Sequence, residues 1–173
     1  PVLFLDVDGV LTTSRGLLMN YSTDDSSLYH VSDLLPGSVA DSIPPVEKDR
    51  VSNLCAVVDA VPDLRLVISS TWREDPEYLA FLFEALRLGG VDVDAVVIGK
   101  TPVLSTGRGA EIRAWLAAHP AHPVIGIVDD GHLDSFREEE LSSHLVQTYI
   151  GCSDNDHEGL TLSHASKLIN LFS

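Results

Sequence analysis

The chain has 173 residues, of which 45% are hydrophobic, and at this size one domain can bury a complete core. Acidic side chains outnumber basic ones by 26 to 11, and the net charge of −15 disfavours an extended footprint on a nucleic-acid backbone. The chain has no apolar run near the roughly 20 residues of a membrane helix and no basic-then-apolar leader. We therefore expect a single cytoplasmic domain over 1–173 without membrane contact, and its oligomeric state stays open.

Short apolar runs alternate with helical patterns along the chain. The runs are 2–5, 64–68, 94–98 and 123–128, followed by a last short strand near 144–149. Unbroken runs of this kind are typical of strands that are covered on both faces in a parallel sheet. Amphipathic patterns predict helices at about 46–61, 76–88, 109–118 and 160–172. This alternation predicts a three-layer α/β/α, Rossmann-like domain with a mainly parallel sheet.

The segment 13–45 shows no sustained periodicity and is rich in Ser, Asp and Pro. A loop of that length inside a compact domain is usually functional or disordered. It follows the first strand directly, so we expect it at the C-terminal edge of the sheet, where open α/β folds bind ligands. We interpret it as a loop or small flap at the rim of the site, too short to form a large cap domain.

Polar residues follow three of the predicted strands at the point where each strand ends. They are Asp6 and Asp8 after the first, Ser69, Ser70 and Thr71 after the second, and Asp129 and Asp130 after the fourth. In a parallel sheet these ends meet at one edge, where the carboxylates would repel one another unless a cation lay among them. An all-oxygen set of ligands suits a hard ion such as Mg²⁺. Any one Asp could be a turn or a helix cap, but their joint placement favours a site.

The spacing of Asp6 and Asp8 suits phosphoryl transfer, which needs a nucleophile, a metal, a cationic side chain and an acid. A carboxylate at a strand end and another on the next turn can face the same phosphorus atom. Asp6 would attack, while Asp8 would protonate the leaving oxygen and then activate water. Gly9 permits the tight turn, and a hydroxyl group from 69–71 would hold a phosphate oxygen together with a backbone N–H.

Four motifs resemble those of the haloacid dehalogenase (HAD) phosphatases. They are DVDGVLT at 6–12, ISSTWR at 68–73, RGAEI at 108–112 and IVDDG at 127–131. The Trp of the second motif and GLTLSH at 159–164 are similar to a capless branch of HAD domains associated with nucleic-acid (RNA) repair systems. The resemblance covers residue 2 to about 171, apart from 13–45. It implies a Mg²⁺-dependent phosphatase that works through an aspartyl-phosphate intermediate.

The resemblance implies roles for the acidic residues. Asp6 matches the nucleophile and a magnesium ligand. Asp8 matches the acid/base residue, which also gives its backbone carbonyl to the metal. Asp129 and Asp130 match the acidic pair that completes the metal site.

The resemblance also implies the phosphate-binding groups. Ser70, which stands two residues before Trp72, best matches the phosphate-binding hydroxyl, and Ser69 is the alternative. Thr71, the next residue, is expected to bind the phosphate as well. Arg108 stands where the family usually has Lys, and Lys100 is its rival. An Arg fork can also bind phosphate oxygens.

Two large side chains follow the hydroxyl-bearing residues. For Trp72 we favour packing over a role as a stacking platform for a base. For Arg73 we give two interpretations equal weight. It contacts a second phosphate or the substrate backbone, or else it pairs with Glu74 or Asp75.

The substrate stays open at this stage. An open rim suits a phosphate at a polynucleotide end, whereas the acidic charge points to a small metabolite. Alternatives are therefore a small-metabolite phosphatase or phosphotransferase, and a catalytically idle HAD-like binding module.

Overall fold

A parallel sheet organises the molecule. The computed structural model describes residues 1–18, 26–37, 43–122, 124–131, 133–137, 139–151 and 157–173. Its strands are β1 (Val2–Leu5), β2 (Leu28–Tyr29), β3 (Val46–Glu47), β4 (Arg65–Ile68), β5 (Val97–Lys100), β6 (Ile125–Asp129) and β7 (Leu145–Gln147). One five-stranded sheet has the order β5-β4-β1-β6-β7, and all its neighbouring strands are parallel. The carboxyl ends of these strands therefore lie along one edge.

Helices cover both faces of this sheet. They are α1 (Ser14–Leu18), α2 (Val31–Leu34), α3 (Lys48–Ala60), α4 (Pro76–Leu88), α5 (Val93–Val96), α6 (Arg108–Ala118), α7 (Asp134–Arg137) and α8 (Leu162–Leu171). Leu3 and Leu5 of β1 pack with α3, α4 and α8, whereas Val2 and Phe4 pack on the other face with α6 and α7. Among the described residues, the helices lack the combination of length and apolar character that crossing a membrane requires. The predicted three-layer α/β/α domain without a large cap is confirmed.

The register of the central strand β1 with its two neighbours aligns the carboxyl ends of the three strands. Its four apolar residues are fully buried, which the unbroken VLFL run predicts. Leu5 is in register with Ile68 of β4 and Val128 of β6. The residues that come next, Asp6, Ser69 and Asp129, therefore lie side by side at the carboxyl edge of the sheet.

Two predicted elements differ from the structure. The run 94–98 was expected to be a strand, but Val93–Val96 form α5 and the strand begins only at Val97. The Asp92 side chain caps this short helix by accepting a hydrogen bond from the Ala95 backbone N–H at 3.2 Å, a local signal that outweighs the apolar run. The helix predicted at 46–61 begins at Lys48, because Val46 and Glu47 form strand β3 and pair with β2.

The segment 13–45 is more ordered than a plain loop in the parts that the structure describes. It contains α1, β2 and α2, while its residues 19–25 and 38–42 lie outside the described residues. Thr13 donates a hydrogen bond to the buried Glu47 carboxylate, which ties the start of the segment to the strand that follows it. Pro44, near its end, lines a cleft beside Asp8. The interpretation of this segment as a loop or small flap at the rim of the site stays a prediction.

Candidate active site

Three carboxylates converge at the ends of β1 and β6. Asp6, Asp129 and Asp130 each direct an oxygen to a common space, and these oxygens lie within 4.8 Å of one another. Backbone N–H groups orient two of them, because Val7 donates to Asp6 Oδ1 at 2.9 Å and Gly131 donates to Asp129 Oδ1 at 2.7 Å. Asp6 and Asp129 are buried, and Asp130 is half-buried. Of the four carboxylates that were predicted to meet at the strand ends, these three lie together, whereas the Asp8 carboxylate is not part of the group.

The charge gathered here exceeds what the surrounding groups compensate. Burial, followed by the negative charge of Asp6, raises the pKa of Asp129 to about 7, although Arg108 acts in the opposite direction. The same two causes raise the pKa of Asp130. Asp129 Oδ2 is buried and has no hydrogen-bond partner in the described part of the chain. An all-oxygen set with an orphaned buried carboxylate oxygen fits a hard divalent cation such as Mg²⁺.

Arg108 is the basic side chain that faces these carboxylates. Its Nη1 lies 3.6 Å from Asp6 Oδ1, and its Nε lies 3.6 Å from Asp129 Oδ2. The next residue, Gly109, lets the start of α6 approach α7, because a Cβ there would lie 2.2 Å from the Ser135 carbonyl oxygen. Lys100, the rival candidate, donates instead to the Arg73 carbonyl oxygen at 2.9 Å. The geometry thus brings Arg108 to the carboxylates.

Asp8 lies apart from the three clustered carboxylates. It lines a cleft of about 400 Å³ together with Pro44, Thr71, Trp72, Asp75 and Tyr78. Burial, and then the charge of Asp6, raises the pKa of the Asp8 carboxyl, while hydrogen bonds from Trp72 and Thr12 lower it. A carboxyl with a raised pKa at the edge of a cleft can deliver a proton to a bound group.

Gly9 allows the turn after Asp8 to pack closely against Asp130. Its φ of +70° is in the left-handed region, and a Cβ on it would lie 2.2 Å from Asp130 Oδ2 and 2.6 Å from Asp130 Cβ. Thr148 holds this arrangement from the other side. Its hydroxyl group donates to the Gly9 carbonyl oxygen at 2.7 Å, and its backbone N–H donates to the Asp129 carbonyl oxygen at 3.0 Å. No sequence motif singled out Thr148, which lies just after β7.

The hydroxyl groups after β4 occupy different environments. Ser70 is fully buried and accepts a hydrogen bond from the Trp72 backbone N–H at 3.4 Å. Ser69 is fully buried as well, and its Oγ has no hydrogen-bond partner among the residues that the structure describes. Thr71 is exposed at the cleft beside Asp8. Both serines therefore stay open as the phosphate-binding hydroxyl.

Both interpretations of Arg73 are wrong, because its side chain is buried in the protein at 2% exposure. Its guanidinium group donates to four backbone carbonyl oxygens, those of Ser69, Ser70, Thr101 and Pro102. It also forms an ion pair of 2.8 Å with Glu111. Glu111 lies in the first turn of α6, so this pair fastens the loop after β4 to the helix that begins with Arg108. In the sequence, the signal that could have indicated a partner for Arg73 was Glu111, an acidic residue three positions after Arg108.

Trp72 is buried at 2% exposure, which agrees with the packing interpretation. The sequence did not indicate its polar contact. The indole Nε1–H donates a hydrogen bond of 3.0 Å to Asp8 Oδ2.

A family model described as the HAD domain in Swiss Army Knife RNA repair proteins matches residues 2–165. The chain belongs to this family. The resemblance stated from the motifs is thereby confirmed, and membership of the HAD family indicates phosphatase-type hydrolase chemistry. Comparison with curated proteins and with solved structures gave no match.

Substitution of Gly9 tests the contact between the turn and Asp130. Gly9→Ala should lower the free energy of unfolding by roughly 1–3 kcal/mol more than Gly37→Ala does. Both glycines have positive φ, but a Cβ on Gly37 would meet no described residue within 4 Å, so the control isolates the clash with Asp130. Rotation of the Asp130 side chain does not relieve this clash, because its Cβ is itself too close. Equal losses in urea denaturation would contradict this account.

Substitution of Glu111 tests the buried ion pair. Glu111→Gln keeps the shape but leaves the Arg73 charge uncompensated, and it should lower the free energy of unfolding by about 3 kcal/mol. Glu84→Gln breaks the exposed pair with Arg87, whose nitrogen–oxygen distance is 2.7 Å, and should leave the urea midpoint nearly unchanged. Similar midpoint shifts for both variants would show that burial does not set the strength of the Arg73 pair.

Proposed function

We propose that this HAD domain is a Mg²⁺-dependent phosphatase that hydrolyses a phosphate monoester at the end of a polynucleotide. The proposal rests on one observation, namely that Asp6 and Asp8 lie in different environments. Asp6 lies within a charged cluster that fits a divalent cation, while Asp8, two residues later, lies at the cleft with a raised pKa. Two carboxylates in different environments on one turn suit the separate roles of a nucleophile and an acid.

The reaction would take place in two steps on the side chains of this turn. Asp6 attacks phosphorus, and a bond from its carboxylate oxygen forms as the bond to the leaving oxygen breaks, while Asp8 gives its proton to that oxygen. Asp8 then takes a proton from water, whose oxygen attacks phosphorus and releases inorganic phosphate from Asp6. Mg²⁺ held by Asp6, Asp129, Asp130 and the Asp8 carbonyl would neutralise charge on the phosphate oxygens. Arg108, Thr71 and one of the two serines would bind those oxygens.

The substrate class is supported by the cleft and by the family. The cleft beside Asp8 would take the leaving group, and the described residues that line it include no Lys or Arg. A neutral part of the substrate, such as a terminal nucleoside, suits this lining better than a second phosphate does. The family is described as a HAD domain of RNA repair proteins. In RNA a phosphate monoester can stand only at a chain end, because the internal phosphates are diesters. The net charge of −15 is compatible with contact at a chain end alone.

A substrate screen tests this proposal. The protein with Mg²⁺ should release phosphate from end-phosphorylated RNA oligonucleotides with a higher kcat/KM than from mononucleotides or sugar phosphates. Asp6→Asn should lower kcat at least about 1,000-fold, because an amide is not a competent nucleophile. Asp63→Asn is the matched control, since this exposed residue precedes β4 at the opposite edge of the sheet. Preference for sugar phosphates would favour a small-metabolite phosphatase, and absence of turnover would favour an idle binding module.

The response to Mg²⁺ should depend on pH. The pKa of Asp129 is raised to about 7, above its ordinary value. Between roughly pH 4 and 7, the metal-free folded protein therefore keeps a proton on Asp129 that the unfolded chain releases. The free energy of unfolding falls as the pH rises through this range. Mg²⁺ competes with that proton. The increase in melting temperature caused by Mg²⁺ should therefore be small at pH 5 and large at pH 8. Asp129→Asn should flatten the pH dependence, and an equal Mg²⁺ response at both pH values would place the cation elsewhere.

A further inference from the structure

Asp8 is held by two side chains that the proposed reaction does not otherwise use. Trp72 Nε1–H donates to Asp8 Oδ2 at 3.0 Å, and the Thr12 hydroxyl group donates to Asp8 Oδ1 at 3.3 Å. Thr12 is fully buried, and Trp72 is exposed by only 2%. Both carboxyl oxygens of Asp8 are therefore contacted from inside the protein, which restricts the side chain to one orientation beside the cleft.

The indole ring of Trp72 is itself fixed. Tyr78 packs edge-on against it with ring centroids 5.1 Å apart, and Phe81 stacks on it at 6.2 Å. Its backbone N–H donates to Ser70 Oγ, which joins it to the hydroxyl-bearing loop. A ring that is packed on two sides and held at its backbone cannot turn its N–H away without disrupting these contacts.

The chemistry of the indole group suits a residue that must act on Asp8 throughout the reaction. An indole N–H only donates. It can bind Asp8 Oδ2 when the carboxyl is neutral, through the carbonyl oxygen, and also when it is ionised. The contact therefore does not need to break when Asp8 loses a proton in the first step or gains one in the second.

We propose that Trp72 is a positioning residue that holds the Asp8 carboxyl against the leaving oxygen, an inference that rests on the proposed phosphatase function. A substrate with a poor leaving group needs the proton from Asp8, whereas a substrate with a good leaving group needs it little. Loss of the indole N–H must then impair the first class of substrate selectively. A purely structural role for Trp72 would impair both classes alike.

Two substrates of similar shape separate these cases. para-Nitrophenyl phosphate has a good leaving group, whereas benzyl phosphate has a poor alkoxide leaving group. The parameter to compare is kcat/KM, which reports steps up to the departure of the leaving group and not the later hydrolysis of the phosphoenzyme. Trp72→Phe keeps a ring between Tyr78 and Phe81 but lacks the donor. Its loss of kcat/KM on benzyl phosphate should exceed its loss on para-nitrophenyl phosphate by about tenfold.

The controls show whether Trp72 acts through Asp8. Trp115→Phe removes the other buried indole, which packs on Phe4 and His119, and it should affect both substrates equally. Asp8→Asn should show the same selective loss as Trp72→Phe, and adding Trp72→Phe to Asp8→Asn should not increase the selectivity further. Equal losses on the two substrates, or an additive effect in the double variant, would overturn the role of Trp72. Absence of turnover in the parent protein would refute the proposed function itself.

A spectroscopic measurement tests the contact without turnover and without Trp72→Phe. The chain has 2 tryptophans, so Trp115→Phe leaves Trp72 as the single indole and assigns its proton resonance. Asp8→Ala in that background should shift the Trp72 indole proton upfield, because a charge-assisted hydrogen bond is lost. An unchanged resonance would show that the bond to Asp8 is absent in solution and would overturn the inference.

Discussion

Asp6 and Asp129 leave neighbouring parallel strands at the same level of the sheet, and their negative charges repel each other across that edge. The repulsion is costly because both groups are buried, as the raised pKa of Asp129 shows. Arg108 faces both carboxylates with nitrogen–oxygen distances of 3.6 Å, and at this distance its positive charge compensates their negative charges only in part. The folded site therefore has an excess of negative charge, which costs stability and which a bound divalent cation would relieve.

Such an arrangement persists only when the surrounding structure fixes it. Thr148 bonds to the backbone of both the Gly9 turn and Asp129, and the buried Arg73–Glu111 pair joins the loop after β4 to the start of α6. These supports come from the residue that follows β7, from the loop after β4 and from α6, on both sides of the central strand. The carboxylates are thus held close together by contacts that lie outside the carboxylate cluster itself.

The sequence predicted the layers, the parallel sheet and the group of acidic strand-end residues, because a fully buried strand such as VLFL has a simple apolar signature and its end is marked by a charge. It did not predict α5, where the cap by Asp92 outweighs an apolar run. It also did not predict where Arg73 and Trp72 point. Their contacts join residues far apart in the chain, Arg73 with Glu111 and Trp72 with Asp8, and periodicity carries no information about such pairs. For the same reason, residue type alone made Arg73 look like a surface or substrate contact.

The inward orientation of these two side chains also affects how the protein can meet a substrate. Trp72 and Arg73 are the largest side chains of the segment 70–73, and both are buried. From this segment, Thr71 is the exposed residue that lines the cleft, and Trp72 lines it as a buried wall. The neighbouring lining residues, Asp75 and Tyr78, carry no positive charge. Under the proposed function, attraction for the substrate would then be concentrated at a phosphate held by Arg108 and by a cation among the clustered carboxylates. A substrate that presents one terminal phosphate satisfies this arrangement, whereas a continuous phosphate backbone would meet repulsion from the rest of the acidic surface.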